Sequence, residues 1–137
     1  MSKKKVTIVF DIGKTNKKFF LFDKNYKEVV REYTELPLTT DEDGYPTEDL
    51  VALQNWIKDN FNAILDDENF DVKAINFSTY GASFVHLDHK GNILTPLYNY
   101  TKPIDEDILD LFYEKHGSKL KIARETASPQ TGMLNSG

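Results

Sequence analysis

The residues with the clearest chemical potential lie in a short polar segment between two apolar runs near the start of the chain. Asp11 follows the first run, where its carboxylate can reach a hydrated Mg²⁺ ion. Gly13 lets the backbone approach a ligand closely, and Thr15, Asn16 and backbone N–H groups can donate hydrogen bonds to phosphate oxygens. Positive charge comes from Lys14, Lys17 and Lys18. The segment therefore predicts a phosphate site; the alternative is a surface hairpin whose lysines favour solubility.

Strand-like runs flank this segment on both sides. Residues 6–10 are apolar at nearly every position, which predicts a strand covered on both faces. Residues 19–22 predict the second strand of a β-hairpin. Residues 28–36 mix valine and tyrosine with charges, so we expect a more exposed third strand, antiparallel to the second, after a turn at residues 23–26. The chain therefore opens with a predicted three-stranded meander.

A helix and a further strand follow a polar loop at residues 37–46. The acidic run of that loop, residues 41–43, lacks the spacing of an EF-hand, so we predict a solvated loop. Thr47 is the predicted N-cap of a helix that ends near residue 65, and Glu48 and Asp49 suit its positive end. Its apolar stripe comprises Leu50, Leu53, Ile57, Phe61 and Ile64, bordered by Trp56. Residues 72–78 then predict a strand parallel to the first.

Residues 79–83 lie beyond the carboxyl end of that strand, which is where open α/β sheets bind ligands. A glycine at position 81 lets backbone groups face a small polar substrate. The alternative, which the residues alone favour, is a tight turn into a hairpin formed by residues 84–88 and 93–97. His86 and His89 do not predict a metal site, because positions three apart on a strand face opposite ways and no third ligand is suitably spaced.

Two helices are predicted near the end of the chain. Pro103 is the expected first residue of one helix, whose early acidic residues suit its positive end and which stops at Gly117. Residues 118–125 predict a second, short helix.

The composition restricts the class of protein. A length of 137 residues predicts one domain. The net charge of −5 gives no global basic field, so a nucleic-acid partner is not expected. No apolar stretch matches a membrane helix, and no signal-peptide pattern is present, so we expect no membrane association and a cytoplasmic location. The absence of cysteine excludes disulfides and thiol chemistry.

Three blocks of the sequence resemble a known family. Asp11, Gly13, Thr15 and Lys18 match the first phosphate motif of actin/hexokinase-like ATPases, roughly D-x-G-x-T-x-x-K/R. Together with residues 75–103 and 128–137, this motif resembles the N-terminal part of an FGGY-family carbohydrate kinase. Within the family, the blocks are most similar to rhamnulose and fuculose kinases.

The resemblance implies an α/β fold of the ribonuclease-H-like, actin-like ATPase type, with a mixed sheet. Residues 1–137 would be part of the N-terminal domain, without its remainder or the second lobe. The implied cofactors are ATP and Mg²⁺, and the implied reaction transfers the γ-phosphoryl group to a hydroxyl of a sugar, such as a ketose. The implied catalytic base is an Asp beyond residue 137, so the chain alone is expected to be inactive.

The resemblance also implies roles for individual residues. Asp11 would face the Mg²⁺ through water, and residues 13–18 would hold the β- and γ-phosphates. Gly81 matches a sugar-contacting position, with Tyr80, Ala82 and Ser83 as its neighbours. The sequence departs from the family at Lys14, where a small residue is usual.

The loop at residues 80–83 lacks the Met-His pair of xylulose kinases and the Arg-Glu pair of glycerol kinases, which argues against those two substrates. Two other interpretations remain open, namely another actin/hexokinase-like ATPase and a non-catalytic ribonuclease-H-like binding module. Apolar surface exposed by the missing lobe would favour a homo-oligomer.

Overall fold

The computed structural model describes residues 2–81 and 83–128. Within them the chain forms two compact units. The first contains the described residues up to Leu38 and then Asp49–Tyr80; the second contains Thr39–Glu48 and the described residues from Gly81 onward. The elements in chain order are β1 (Lys4–Ile12), β2 (Lys17–Asp23), β3 (Glu28–Thr34), β4 (Leu38–Thr40), β5 (Pro46–Glu48), α1 (Leu50–Asp66), β6 (Phe70–Thr79), α2 (Glu106–His116) and α3 (Lys119–Thr126).

The first unit is a four-stranded mixed sheet in the order β3-β2-β1-β6. The strands β1, β2 and β3 form the predicted antiparallel meander, and β6 pairs with β1 in parallel. The predicted topology of three strands, a helix and a parallel strand is therefore confirmed. In this register Ile12 lies opposite Thr79, so β1 and β6 end side by side.

Alternation along β1 and β2 builds the core of the first unit. Every second side chain is buried and its neighbours are half-buried, so one face of these strands is fully covered and the other only partly. The first strand, which the sequence predicts to be covered on both faces, is therefore covered fully on one face and only in part on the other. The buried apolar residues are Val6, Ile8, Phe10, Ile12, Phe19 and Leu21.

The helix α1 packs its apolar stripe against this core through Leu53, Trp56, Ile57, Phe61 and Ile64. The Trp56 ring meets the Phe10 ring edge-on, with 5.3 Å between centroids. The predicted N-cap is wrong. Asp49 caps the helix by accepting hydrogen bonds from the backbone N–H groups of Val51 and Ala52, while Thr47 and Glu48 are buried in β5.

The second unit contains a two-stranded ribbon of β4 and β5 where the sequence predicts a solvated loop. That prediction is wrong for Asp41, which is buried and whose carboxylate accepts hydrogen bonds from the backbone N–H groups of Asp43 and Tyr45. The predicted hairpin of residues 84–97 is reduced to a single bridge between Leu87 and Ile93, around a turn whose carboxylate acceptor is Asp88.

The two helices near the end of the chain lie close to their predicted positions. The start of α2 is not Pro103, however, because Asp105 is the N-cap and its carboxylate accepts from the N–H of Asp107. The helix ends at Gly117, whose φ of 111° favours glycine. Ser118 caps α3. In the part of the chain that the structure describes, no helix combines the length and apolar character needed to cross a membrane.

Candidate functional site

The Asp11 segment forms the tight connection between β1 and β2, at the edge where β1 and β6 both end. Asp11 and Lys18 are cross-strand partners. The Lys18 ammonium lies 3.0 Å from a carboxylate oxygen of Asp11, and both side chains remain about one-third exposed, at 35% and 33%. The pair fixes the direction of the Asp11 carboxylate while leaving it accessible to a ligand.

Gly13 is required by the closeness of this turn. A Cβ atom at position 13 would lie 2.7 Å from the backbone oxygen of Asn16, which no side chain tolerates without movement. Lys17 is buried, and its ammonium donates to the backbone oxygen of Lys14 over 2.9 Å. Thr15 is exposed at the tip. The turn is therefore held internally by Lys17 and presents Lys14, Thr15, Asn16 and Lys18 towards its surface.

Tyr80 brings the end of β6 to the same edge of the sheet. Its backbone N–H donates to the backbone oxygen of Ile12 over 3.1 Å, which extends the pairing of β6 with β1 by one residue. Within the first unit, the Asp11 turn and the first residue of the predicted sugar loop thus lie on neighbouring strand ends. Binding at strand ends is the usual arrangement in open α/β sheets.

The remaining residues of the predicted sugar loop belong to the second unit. Gly81 is exposed, and a Cβ atom there would meet nothing within 4 Å, so packing does not demand a glycine. The Ser83 hydroxyl donates to the backbone oxygen of Tyr98 over 3.1 Å. Ala82 lies outside the described residues, as do residues 129–137 of the final sequence block at residues 128–137.

A polar cluster centred on Lys102 was not predicted from the sequence. Its ammonium lies 2.6 Å from a carboxylate oxygen of Asp41 and 2.7 Å from one of Asp43. The hydrogen bond to Asp41 is the main cause of the raised pKa of Lys102, and the same bond lowers the pKa of Asp41. The Tyr98 hydroxyl donates to Glu42, which raises the pKa of Tyr98. No local pattern links partners so distant in sequence; the basic residue before Pro103 was the only available signal.

The donor set of the Asp11 turn suits a hydrated magnesium ion. Among residues 2–81 and 83–128, no group of three or more His, Cys, Asp or Glu side chains is arranged to hold a metal. The described residues therefore do not form a site in which protein side chains supply most of the metal ligands. A single carboxylate is nonetheless enough for Mg²⁺, which keeps several waters and is usually held by one or two carboxylates together with substrate phosphates.

Solved structures of carbohydrate kinases share this fold. Gluconate kinase from Lactobacillus acidophilus matches with a TM-score of 0.66 and 26% identity, covering 96% of this chain and 26% of that one. Xylulose kinase from the same organism matches with a TM-score of 0.61 and 27% identity over 88% of this chain and 24% of that one. Glycerol kinase from Plasmodium falciparum, solved with ADP, has a TM-score of 0.69 at 15% identity and covers 98% of this chain and 27% of that one. This match supports the fold alone.

The chain spans about a quarter of the length of these structures. No curated protein matches it. The sequence model of the N-terminal domain of the FGGY family of carbohydrate kinases matches residues 6–133. This match confirms the predicted mixed α/β, actin-like ATPase fold. The chain belongs to the FGGY family of carbohydrate kinases.

Proposed function

We propose that this chain supplies the phosphate-binding turn and part of the sugar-binding loop of an ATP-dependent carbohydrate kinase. The observation that carries the proposal is the hydrogen bond from the Tyr80 N–H to the Ile12 oxygen, which sets the start of the sugar loop beside the Asp11 turn. Phosphoryl transfer depends mainly on positioning and electrostatic stabilisation. Because the Asp11 turn and Tyr80 lie on adjacent strand ends of the first unit, they would meet the first of these needs.

The Asp11 turn is suited to the phosphates of MgATP. Asp11 would hold a water molecule of the Mg²⁺ ion, and the ion supplies charge neutralisation between the phosphates. The backbone and side chains of residues 13–16 would donate to the β- and γ-phosphates, with Lys14 and Lys18 adding positive charge. Lys17 would act by keeping the turn closed, because its ammonium already donates to the Lys14 oxygen.

The loop formed by Tyr80, Gly81, Ala82 and Ser83 would bind the sugar. Gly81 supports this role, since packing would allow a side chain at this position. The lack of a side chain leaves the backbone open to a hydroxylated ligand. We propose a ketose such as rhamnulose or fuculose as the acceptor, because the loop lacks the pairs typical of xylulose and glycerol kinases. The catalytic base would come from sequence beyond this chain, and the chain alone would not turn over.

The proposal is tested with the full-length protein in an ATP-coupled phosphorylation assay. L-Rhamnulose, L-fuculose, D-xylulose, gluconate and glycerol are compared as acceptors. We expect turnover with one ketose, loss of at least about a hundredfold in Asp11→Ala, and no turnover by the 137-residue chain. The matched control is Asp59→Ala, which removes an exposed carboxylate of α1 and should leave turnover unchanged.

Two results would contradict the proposal in different ways. Full turnover in Asp11→Ala would exclude the assigned role of the turn. ATP hydrolysis without phosphorylation of any sugar would instead favour another actin/hexokinase-like ATPase activity.

A further inference from the structure

Lys102 bonds to two carboxylates at once, in a cluster outside the proposed site. Its side chain is 14% exposed and that of its partner Asp41 is 0% exposed. The second carboxylate, on Asp43, is 69% exposed and completes the cluster on the solvent side. Separating a shielded pair of this kind leaves a charge without compensation, so the contact between Lys102 and Asp41 resists opening.

Asp41 also shapes the ribbon turn that Lys102 contacts. Its carboxylate accepts from the N–H groups of Asp43 and Tyr45, and its backbone N–H and C=O pair with Tyr45 and Gly44. Any change in the position of Lys102 therefore acts on an organised turn rather than on a loose loop.

Lys102 also contacts Tyr98, the residue whose backbone oxygen accepts the hydrogen bond from Ser83. The ammonium lies 5.0 Å from the centroid of the Tyr98 ring, within the range of a cation–π contact. The Tyr98 hydroxyl donates to Glu42 of the ribbon turn, and the Tyr98 backbone oxygen accepts from Ser83. A continuous series of contacts thus runs from Asp41 through Lys102 and Tyr98 to the predicted sugar loop, all within the second unit.

Further hydrogen bonds join the same two segments. The Thr47 hydroxyl donates to the backbone oxygen of Leu97. The side-chain amide of Asn99 donates to the backbone oxygen of Pro46 over 3.1 Å. The Tyr45 hydroxyl donates to the backbone oxygen of Thr101 over 3.2 Å. These neutral bonds would keep the segments associated when the charge of Lys102 is removed, so its loss should shift the segment rather than detach it.

We propose that Lys102 is a positioning residue for the sugar loop, holding residues 97–102 on the β4–β5 ribbon so that the Tyr98 carbonyl keeps Ser83 in place. The inference rests on the proposed function for its kinetic consequence. Lys102 is not a ligand for the sugar here, because its ammonium is already bonded to two carboxylates. Its effect on sugar binding would be transmitted through Tyr98.

The kinetic test compares Lys102→Met, Lys102→Arg and Lys90→Met in the full-length protein. Lys102→Met keeps the length of the apolar stem and removes the charge; Lys90 is an exposed lysine of the same unit and serves as the matched control. We expect the KM for the sugar to rise about tenfold in Lys102→Met, with the KM for ATP nearly unchanged. Lys102→Arg should recover most of the sugar affinity, since arginine preserves the paired charge.

A merely structural role would give another pattern. Lowered yield or kcat with an unaltered KM for the sugar, or equal changes in both KM values, would overturn the proposal. Should Lys102→Met lower the yield of folded protein, Asp43→Asn provides a milder variant that weakens only the solvent-side contact. It should raise the KM for the sugar in the same direction and by less.

A second measurement separates this inference from the proposed function. Hydrogen exchange of the Gly81 and Ser83 amides is followed in the full-length protein and in Lys102→Met, with the amides of β1 as the internal reference. Faster exchange confined to the loop supports positioning by Lys102 even if no sugar is phosphorylated. Unchanged exchange in the loop refutes it even if the protein proves to be a sugar kinase.

Discussion

The first unit buries mainly apolar side chains, whereas the buried side chains of the described second unit are all polar. The buried residues of the described second unit are Asp41, Thr47 and Glu48, and no apolar side chain there is buried. The first unit instead contains the six apolar residues of the β1–β2 core. Apolar burial is non-directional and scales with the apolar area removed from water. Polar contacts depend on partners, geometry and charge, so the two units should respond differently to the same kind of change.

The largest contrast is expected from truncating a phenylalanine in each unit. Phe10→Ala should lower the free energy of unfolding by about 3–5 kcal/mol, because it leaves a cavity among the Phe19, Trp56 and Phe77 rings. Phe84→Ala should cost less than about 1 kcal/mol, since Phe84 is 48% exposed. Urea unfolding measures both. Equal losses would mean that the second unit has an apolar core after all.

A pair of glycine substitutions sharpens the comparison. Gly13→Ala should cost about 1–3 kcal/mol of stability and weaken ATP binding, because the added methyl group collides with the Asn16 oxygen. Gly81→Ala should change stability by less than about 0.5 kcal/mol, since its methyl group enters open space. Gly81→Ala should change only the affinity for the sugar, which is measured by calorimetric titration of the full-length protein. A large stability loss in Gly81→Ala would contradict the assignment of that glycine to ligand binding.

Acid should loosen the second unit through Asp41. The hydrogen bond from Lys102 lowers the pKa of Asp41 in the folded chain, so this carboxyl group stabilises the fold above its ordinary pKa of 3.8. That contribution is lost as the pH falls through the lower, folded value. The hydrogen-exchange protection factors of the β4–β5 ribbon, corrected for the pH dependence of intrinsic amide exchange, should therefore fall on acidification. The fall should be smaller in Asp41→Asn; an identical pH profile in that variant would exclude Asp41 as the cause.

The smallest expected effect concerns the ion pair of the phosphate turn. Lys18→Met should change stability by less than about 1 kcal/mol, because the pair with Asp11 is about one-third exposed and screened by solvent. ATP affinity should nevertheless fall. A matched Lys24→Met variant, in the turn between β2 and β3 at the other end of β2, should leave ATP affinity unaltered. Isothermal titration with MgATP checks both. Similar losses of affinity in the two variants would indicate a general charge effect rather than a local contact.

The elements of the first unit were predictable because their signals are local. Alternating and continuous apolar runs identified the strands, and three- and four-residue spacing identified α1. Its N-cap was misassigned because Thr47 and Asp49 both have capping side chains; the choice depends on the contact between Thr47 and Leu97, which the sequence does not reveal. The composition of the Asp11 turn likewise identified a candidate site, but the bond from Lys17 to the Lys14 oxygen depends on the folded turn.

The second unit was less predictable for a related physical reason. Its ribbon is secured by a bond between residues 61 positions apart, and no periodicity marks such a pair. Apolar runs at residues 84–88 and 93–97 predicted strands, yet only Leu87 and Ile93 pair. The turn between these runs depends on local contacts, because the Asp88 carboxylate accepts from the backbone N–H groups of Lys90 and Asn92.

The parallel pairing of β1 with β6 has a consequence for the order of folding during synthesis. The strand β1 can pair with β2 as soon as Asp23 has left the ribosome. Its other edge must wait for residues 70–79, which arrive after the ribbon and α1. Long-range pairing of this kind closes a large loop and is slow. The nascent chain therefore passes through a stage in which the central strand of the finished sheet is still an edge, and this is the interval in which a chaperone would have most to protect.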